Sequence, residues 1–78
     1  MKATESNIKS ILDEVSSLVE SSDLDINISL TDQGVDSLDL VNVYLLVEEK
    51  FEIKIPDEDI AQLQNISQII DYVNLKVT

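Results

Sequence analysis

The sequence predicts an all-α domain: a small four-helix bundle of three main helices plus one short helix, with a long loop between helices one and two. Three observations carry this. Apolar residues recur at helical spacing in three separate stretches. A residue suited to capping stands ahead of each. Seventy-eight residues, 44% of them hydrophobic, suffice for one modest core and leave no room for a second domain, so residues 1–78 are read as a single domain.

Helix one is expected from about Thr4 to Val19, where Ile8, Ile11, Leu12, Val15, Leu18 and Val19 keep the spacing and Thr4 or Ser6 can cap the start. In the next segment Leu24, Ile26, Ile28 and Leu30 alternate, as in a half-buried strand, and Phe51, Ile53 and Ile55 alternate too. An α+β domain therefore competes. An isolated two-stranded ribbon is marginal, which favours an extended loop laid on helices.

Helix two should run from the DSLD turn to about Phe51, with Asp36 as cap and Asp39 three residues on as a capping-box analogue. Leu40, Tyr44, Val47 and Phe51 form one apolar stripe, and Leu38, Val41 and Leu45 a second beside it. One stripe is enough for packing, so the second is either buried as well or kept for a partner. Pro56 is expected in the first turn of a short helix reaching about Leu63. The last helix covers about Ile66 to Lys76, with Asn65 as cap and Ile66, Ile69, Ile70, Val73 and Val77 inward.

Composition removes several functions. With no cysteine and no histidine there is no disulfide, no thiolate nucleophile and no imidazole base or metal ligand. Five lysines against sixteen carboxylates give a net charge of −11, which repels nucleic-acid phosphates and anionic membranes and suits partners with basic patches. The longest apolar run, Val43 to Val47, is far below membrane-spanning length, and the N-terminus lacks the apolar core of a secretory signal. A soluble, cytoplasmic monomer is expected.

The chemistry concentrates at Gly34-Val35-Asp36-Ser37-Leu38-Asp39. As a hydrolase nucleophile Ser37 would need a neighbouring base, and the flanking aspartates would oppose a developing oxyanion; the second glycine of a G-x-S-x-G elbow is also missing. Calcium ligation by Asp23, Asp25, Asn27 and Ser29 fails at the sixth position, Ile28 instead of glycine, and at the twelfth, Gly34 instead of glutamate, so no metal site is expected. As a mere first helical residue Ser37 is ordinary, but that leaves the second apolar stripe unexplained.

The stretch GVDSLDLVNVYLLVEEKFEIKIPDEDI, continuing into IIDYV, resembles the acyl carrier proteins. The Gly-x-Asp-Ser-Leu core, Glu-Glu-x-Phe, Ile-Pro-Asp-Glu and Asp-Tyr all fall at that family's spacing. The resemblance implies a non-enzymatic carrier. Ser37 would take 4'-phosphopantetheine from coenzyme A through a phosphopantetheinyl transferase and present acyl thioesters to loading, condensing and modifying enzymes of fatty-acid, polyketide or other acyl biosynthesis. It further implies a recognition face of Asp36, Leu38, Asp39, Val41, Asn42, Leu45, Glu48, Glu49 and Ile55. An acyl pocket at Val47, Ile60, Leu63, Ile66, Ile70 and Val73 is also implied; these are equally good as plain core. Gln33 stands where the family has leucine, Asn42 where an acidic residue is typical, and Lys50 and Lys54 add positive charge. Tyr44 and Leu46 are bulkier than usual on this helix. These departures point to a dedicated carrier. An aminoacyl carrier, or an acidic helical interaction module without prosthetic group, are the alternatives.

Overall fold

A computed structural model describes residues 2–16 and 20–77. Among these the elements are α1 (Glu5–Val15), α2 (Ser37–Phe51), α3 (Asp57–Ile60) and α4 (Ile66–Val77), with single 3-10 turns at Ser21–Asp23 and Thr31–Gln33. No strand forms among the described residues, so the α+β alternative falls.

Thr4, not Ser6, starts α1. Its hydroxyl accepts the Asn7 N–H at 3.2 Å and the Asn7 side-chain oxygen, Oδ1, accepts the Thr4 N–H at 3.0 Å, a reciprocal capping box. The helix ends at Val15, short of the expected Val19, because Ser16 turns extended (φ −120°, ψ 117°). A β-branched residue followed by two serines favours that exit, since serine side chains compete for backbone groups. Leu18 and Val19, assigned to this helix by spacing, lie outside the described residues.

α1 packs against both α2 and α4. Ile8, Ile11 and Leu12 meet Leu40, Val43, Tyr44, Val47 and Phe51 of α2 and Ile66, Ile69 and Val73 of α4 in one core. Ile70 and Val77, expected inward, are only half-buried at its margin. Asn65 caps α4 as expected, its side-chain oxygen accepting the Gln68 N–H at 2.8 Å.

The long connection buries Leu24 and Leu30 and half-buries Ile26, but Ile28 is 46% exposed, against the alternation. A local turn breaks the period: the Asp25 carboxylate accepts the Asn27 N–H at 2.8 Å and the Asp25 carbonyl accepts the Ile28 N–H. Gln33 then closes the loop. Its side-chain oxygen accepts the Asp25 N–H at 2.7 Å, and its NH2 group donates to the Asp25 and Ile28 carbonyls at 2.9 Å each. The loop is also tied to the α3–α4 junction, Leu30 N–H donating to the Gln64 carbonyl at 2.8 Å and Ser67 N–H to the Ile26 carbonyl at 3.0 Å. At the chain's start the Asn74 side chain brackets Ala3, accepting its N–H at 2.7 Å and donating to its carbonyl at 3.3 Å.

α2 ends where Glu52 takes a left-handed conformation (φ 54°) and donates its N–H to the Glu48 carbonyl. A non-glycine residue there costs roughly 1–2 kcal/mol. Pro56 occupies the cap position of α3, not its first turn, and the helix stops at Ile60 while residues 61–63 continue as turns. The four-residue α3 has no side-chain cap and no fully buried residue.

Two phenols fasten it. Tyr44 of α2 donates to the Leu63 carbonyl at 2.6 Å, and Tyr72 of α4 donates to Asp59 Oδ2 at 2.7 Å. Burial pushes the Tyr44 phenol up. Tyr72 is pushed up to about 12, first by burial, then by its bond to Asp59 and the charges of Asp59 and Glu48. With its folded value above the unfolded one near 10, the stabilising contribution of Tyr72 is complete below pH 10 and is lost as pH rises toward 12. The melting temperature should fall over that window, and Tyr72→Phe should fall less; equal slopes would place the alkaline loss elsewhere.

The lysines pair sparsely with the carboxylates. Among the described residues Lys9 meets Glu5 at 3.0 Å and Lys50 meets Glu14 at 3.7 Å, both pairs solvent-accessible. Such pairs contribute little, so self-repulsion at net charge −11 dominates. Added salt or magnesium should raise the melting temperature through screening, and a flat or falling response would show the charges already compensated.

Candidate functional site

The site is built where the long loop turns into α2. Gly34, the only glycine in the chain, adopts φ 97° after the Thr31–Gln33 turn, a conformation glycine reaches at no steric cost. Val35 follows, buried, with its N–H on the Leu30 carbonyl at 3.1 Å. Asp36 is the N-cap, its carboxylate accepting the Leu38 N–H at 2.8 Å. Asp39 returns no bond, so the reciprocal box expected here does not form, and it lies half-buried beside the cap.

Ser37 is thus the first residue of α2, exposed, and its hydroxyl makes no hydrogen bond among the described residues. A helix start supplies free N–H groups and the positive end of the dipole, which favours a phosphodiester on that hydroxyl, while Asp36 and Asp39 offset part of the gain. The usual general base is missing. Histidine and cysteine are absent, and three of the five lysines are engaged elsewhere: Lys9 on Glu5, Lys50 on Glu14, Lys76 over the Tyr72 ring at 5.4 Å. Ser37 can accept a group that another protein activates; it cannot activate itself.

The second apolar stripe of α2 lies outside the core. Leu38 is 74% exposed, Val41 51% and Leu45 57%, running down the helix from the serine. Asn42 and Glu49 are exposed beside them, and Glu48 is half-buried. An open groove of about 430 Å³ continues the stripe between Leu45 and Ile53 and is bordered by Glu48, Glu49, Glu52 and Lys54. Glu48 has a second task that sequence reasoning missed: its carboxylate accepts the Ile55 N–H at 2.9 Å, tying the connection after α2 back to the helix. Ile55 itself is buried and stands behind the face instead of on it, a correction to its expected place among the contacts. Its alternation with Phe51 and Ile53 was the available signal, since buried Phe51 shares its parity.

The six positions expected to line an acyl pocket all join the hydrophobic core. Val47, Leu63, Ile66 and Val73 are essentially inaccessible in the core, and Ile60 and Ile70 pack against it half-buried. A family profile described as "phosphopantetheine attachment site" matches residues 7–73. The chain belongs to the acyl carrier protein family. It is 36% identical over 76 residues to the acyl carrier protein of Buchnera aphidicola subsp. Schizaphis graminum, covering 97% of this chain and 96% of that protein. It is 48% identical over 48 residues to the acyl carrier protein of Campylobacter jejuni strain RM1221, covering 60% of this chain and 62% of that one. The molecule is therefore an acyl carrier and not an enzyme, its cofactor is 4'-phosphopantetheine, and it works with biosynthetic enzymes and a phosphopantetheinyl transferase. The exposed hydroxyl at the start of α2, free of internal bonds, fits that cofactor.

Proposed function

We propose that Ser37 is the residue that carries the phosphopantetheine and that the outer face of α2 is where partner enzymes dock. The supporting observation is the coincidence of one exposed, unbonded hydroxyl with the exposed stripe Leu38, Val41 and Leu45 on the same helix. In loading, a bond forms between Ser37 Oγ and the pantetheine-bearing phosphorus of coenzyme A, and the bond from that phosphorus to the departing adenosine 3',5'-bisphosphate breaks. The proton of the hydroxyl goes to a base on the transferase, since this chain has no histidine and the Asp36 carboxylate is taken by the Leu38 N–H. The bound arm supplies a thiol on which cargo rides as a thioester. Asp36, Asp39, Asn42, Glu48 and Glu49 give the polar frame of the face, and a basic partner patch complements it.

The carrier is read as one domain acting in the cytoplasm; no helix of its described residues is long and apolar enough to cross a membrane. Asn42, and Lys50 drawn onto Glu14, leave the α1 flank of the face less acidic, which supports a dedicated carrier with its own partner set, in fatty-acid, polyketide or other acyl synthesis. Intact mass after incubation with coenzyme A, magnesium and a broad-specificity transferase tests the attachment. A gain of one phosphopantetheine that Ser37→Ala abolishes is expected, with stability changed by no more than roughly 0.5 kcal/mol because the residue is exposed. No gain while a control carrier is modified would overturn it.

A further inference from the structure

Resting on the carrier reading above, we propose that Tyr44 is a chain-length gate: its bond to the Leu63 carbonyl holds the core shut against short cargo and yields only to a longer acyl chain.

The placement comes from α2 itself. Tyr44 is seven residues beyond Ser37, two helical turns and about 10 Å along the axis, on nearly the same side of the helix. An arm folding back from Ser37 along that side meets the Tyr44 ring. Beyond the ring lie Val47, Leu63, Ile66 and Val73, each no more than 1% exposed, so cargo has no standing opening to enter.

The element most easily moved there is α3 with the turn that follows it. It is four residues long, uncapped by any side chain and without a fully buried residue. Local opening favours such weakly packed segments. Swinging residues 60–63 away from α2 breaks the 2.6 Å bond between Tyr44 and Leu63, which is buried at both ends. The remaining ties run elsewhere than to α2: Leu30 N–H to Gln64, Ser67 N–H to Ile26 and the Asn65 side-chain NH2 to the Asn27 carbonyl join the junction to the long loop, and Tyr72 joins Asp59 of α3 to α4. The Tyr44 hydroxyl is the polar fastening between α2 and this turn.

Two magnitudes set the threshold. Breaking a buried hydrogen bond and leaving its partners unsatisfied disfavours opening by about 10- to 100-fold. Each methylene taken out of water favours it by about fourfold. The latch is thus equivalent to roughly two to three methylenes, a cost met once that longer chains outrun and short ones do not.

The test loads wild type and Tyr44→Phe with a series of saturated acyl-coenzyme A donors from two to fourteen carbons, using the same transferase. The melting temperature of each acyl form is compared with that of its holo form, and the rate at which hydroxylamine cleaves the thioester is recorded. In wild type the melting temperature should stay at its holo value and the cleavage rate at that of the two-carbon acyl form up to a threshold length, beyond which stabilisation and slower cleavage appear together. In Tyr44→Phe the threshold should fall by about two carbons. Coincident thresholds, or no dependence on length in either protein, would overturn the gate. A second measurement uses the Tyr72→Phe variant, where Tyr44 is the only tyrosine and no tryptophan competes, with its own melting temperatures recorded across the same acyl series because Tyr72 also holds α3. Its emission should change at the same chain length at which the melting temperature rises, and emission flat across the series would also overturn the gate. Absence of any mass gain sinks the attachment reading and the gate together, whereas full loading with coincident thresholds sinks the gate alone.

Discussion

Replacing Leu30 by alanine is expected to cost about 3 kcal/mol of folding stability and to lower the melting temperature by roughly 10–20 °C. Leu30 sits in a connection, where substitutions are ordinarily tolerated. Here its side chain is fully buried among residues of the helical core. Its backbone is a junction too, with the N–H on the Gln64 carbonyl and its own carbonyl accepting from Gln33 and Val35. Alanine keeps those backbone bonds, so the loss measures packing alone. At the roughly 4–12 kcal/mol expected for a chain of this size, that is a large fraction of the total. Urea unfolding followed by circular dichroism reads it directly. A loss below about 1 kcal/mol would show that the loop lies on the helices without being part of their core.

The double substitution Leu38→Ala with Leu45→Ala should do the reverse, leaving the fold and removing the partner. Both leucines are more than half exposed, so the melting temperature should move by no more than a few degrees. If they anchor the docked transferase, each contributes on the order of 1–2 kcal/mol, and kcat/KM for phosphopantetheine transfer should fall about 30- to 1,000-fold in the double variant. The wild-type rate constant should also fall with added salt, because the surrounding carboxylates steer a basic partner. Transfer kinetics that are unchanged in the double variant would move the docking face elsewhere, and a collapse in stability would show the stripe to be structural.

The helices were legible because their signals are local. The bounds of α2, the Asp36 and Asn65 caps, and the division of α2 into a buried stripe of Leu40, Tyr44, Val47 and Phe51 and an exposed one of Leu38, Val41 and Leu45 all follow from spacing within one element. What sequence reasoning missed depends on partners distant along the chain. Ile28 breaks the alternation because the Asp25 turn redirects the backbone, and periodicity has no means to show a turn closed by a side chain. Ile55 is drawn inward by a bond from its N–H to Glu48, seven residues earlier. Tyr44 reads as bulk in the sequence, yet its hydroxyl finds a carbonyl nineteen positions away. For the site the same division holds: Ser37 and the face are local to α2, whereas the fastening of α3 is not.

Gln33 and Asn74 share a property with practical weight for anyone exchanging parts between carriers. Each side-chain amide pairs with both backbone groups of a distant residue, Gln33 with Asp25 and Asn74 with Ala3, as a neighbouring strand's peptide group would. The information that shapes the loop is therefore stored outside the segment it shapes. A graft of residues 23–30 into a relative with leucine at the position of Gln33 would arrive without its clasp, while a graft of residues 23–34 would carry it along. The smallest transplantable unit of this loop ends at Gln33, not at Ile28, the last residue its side chain holds.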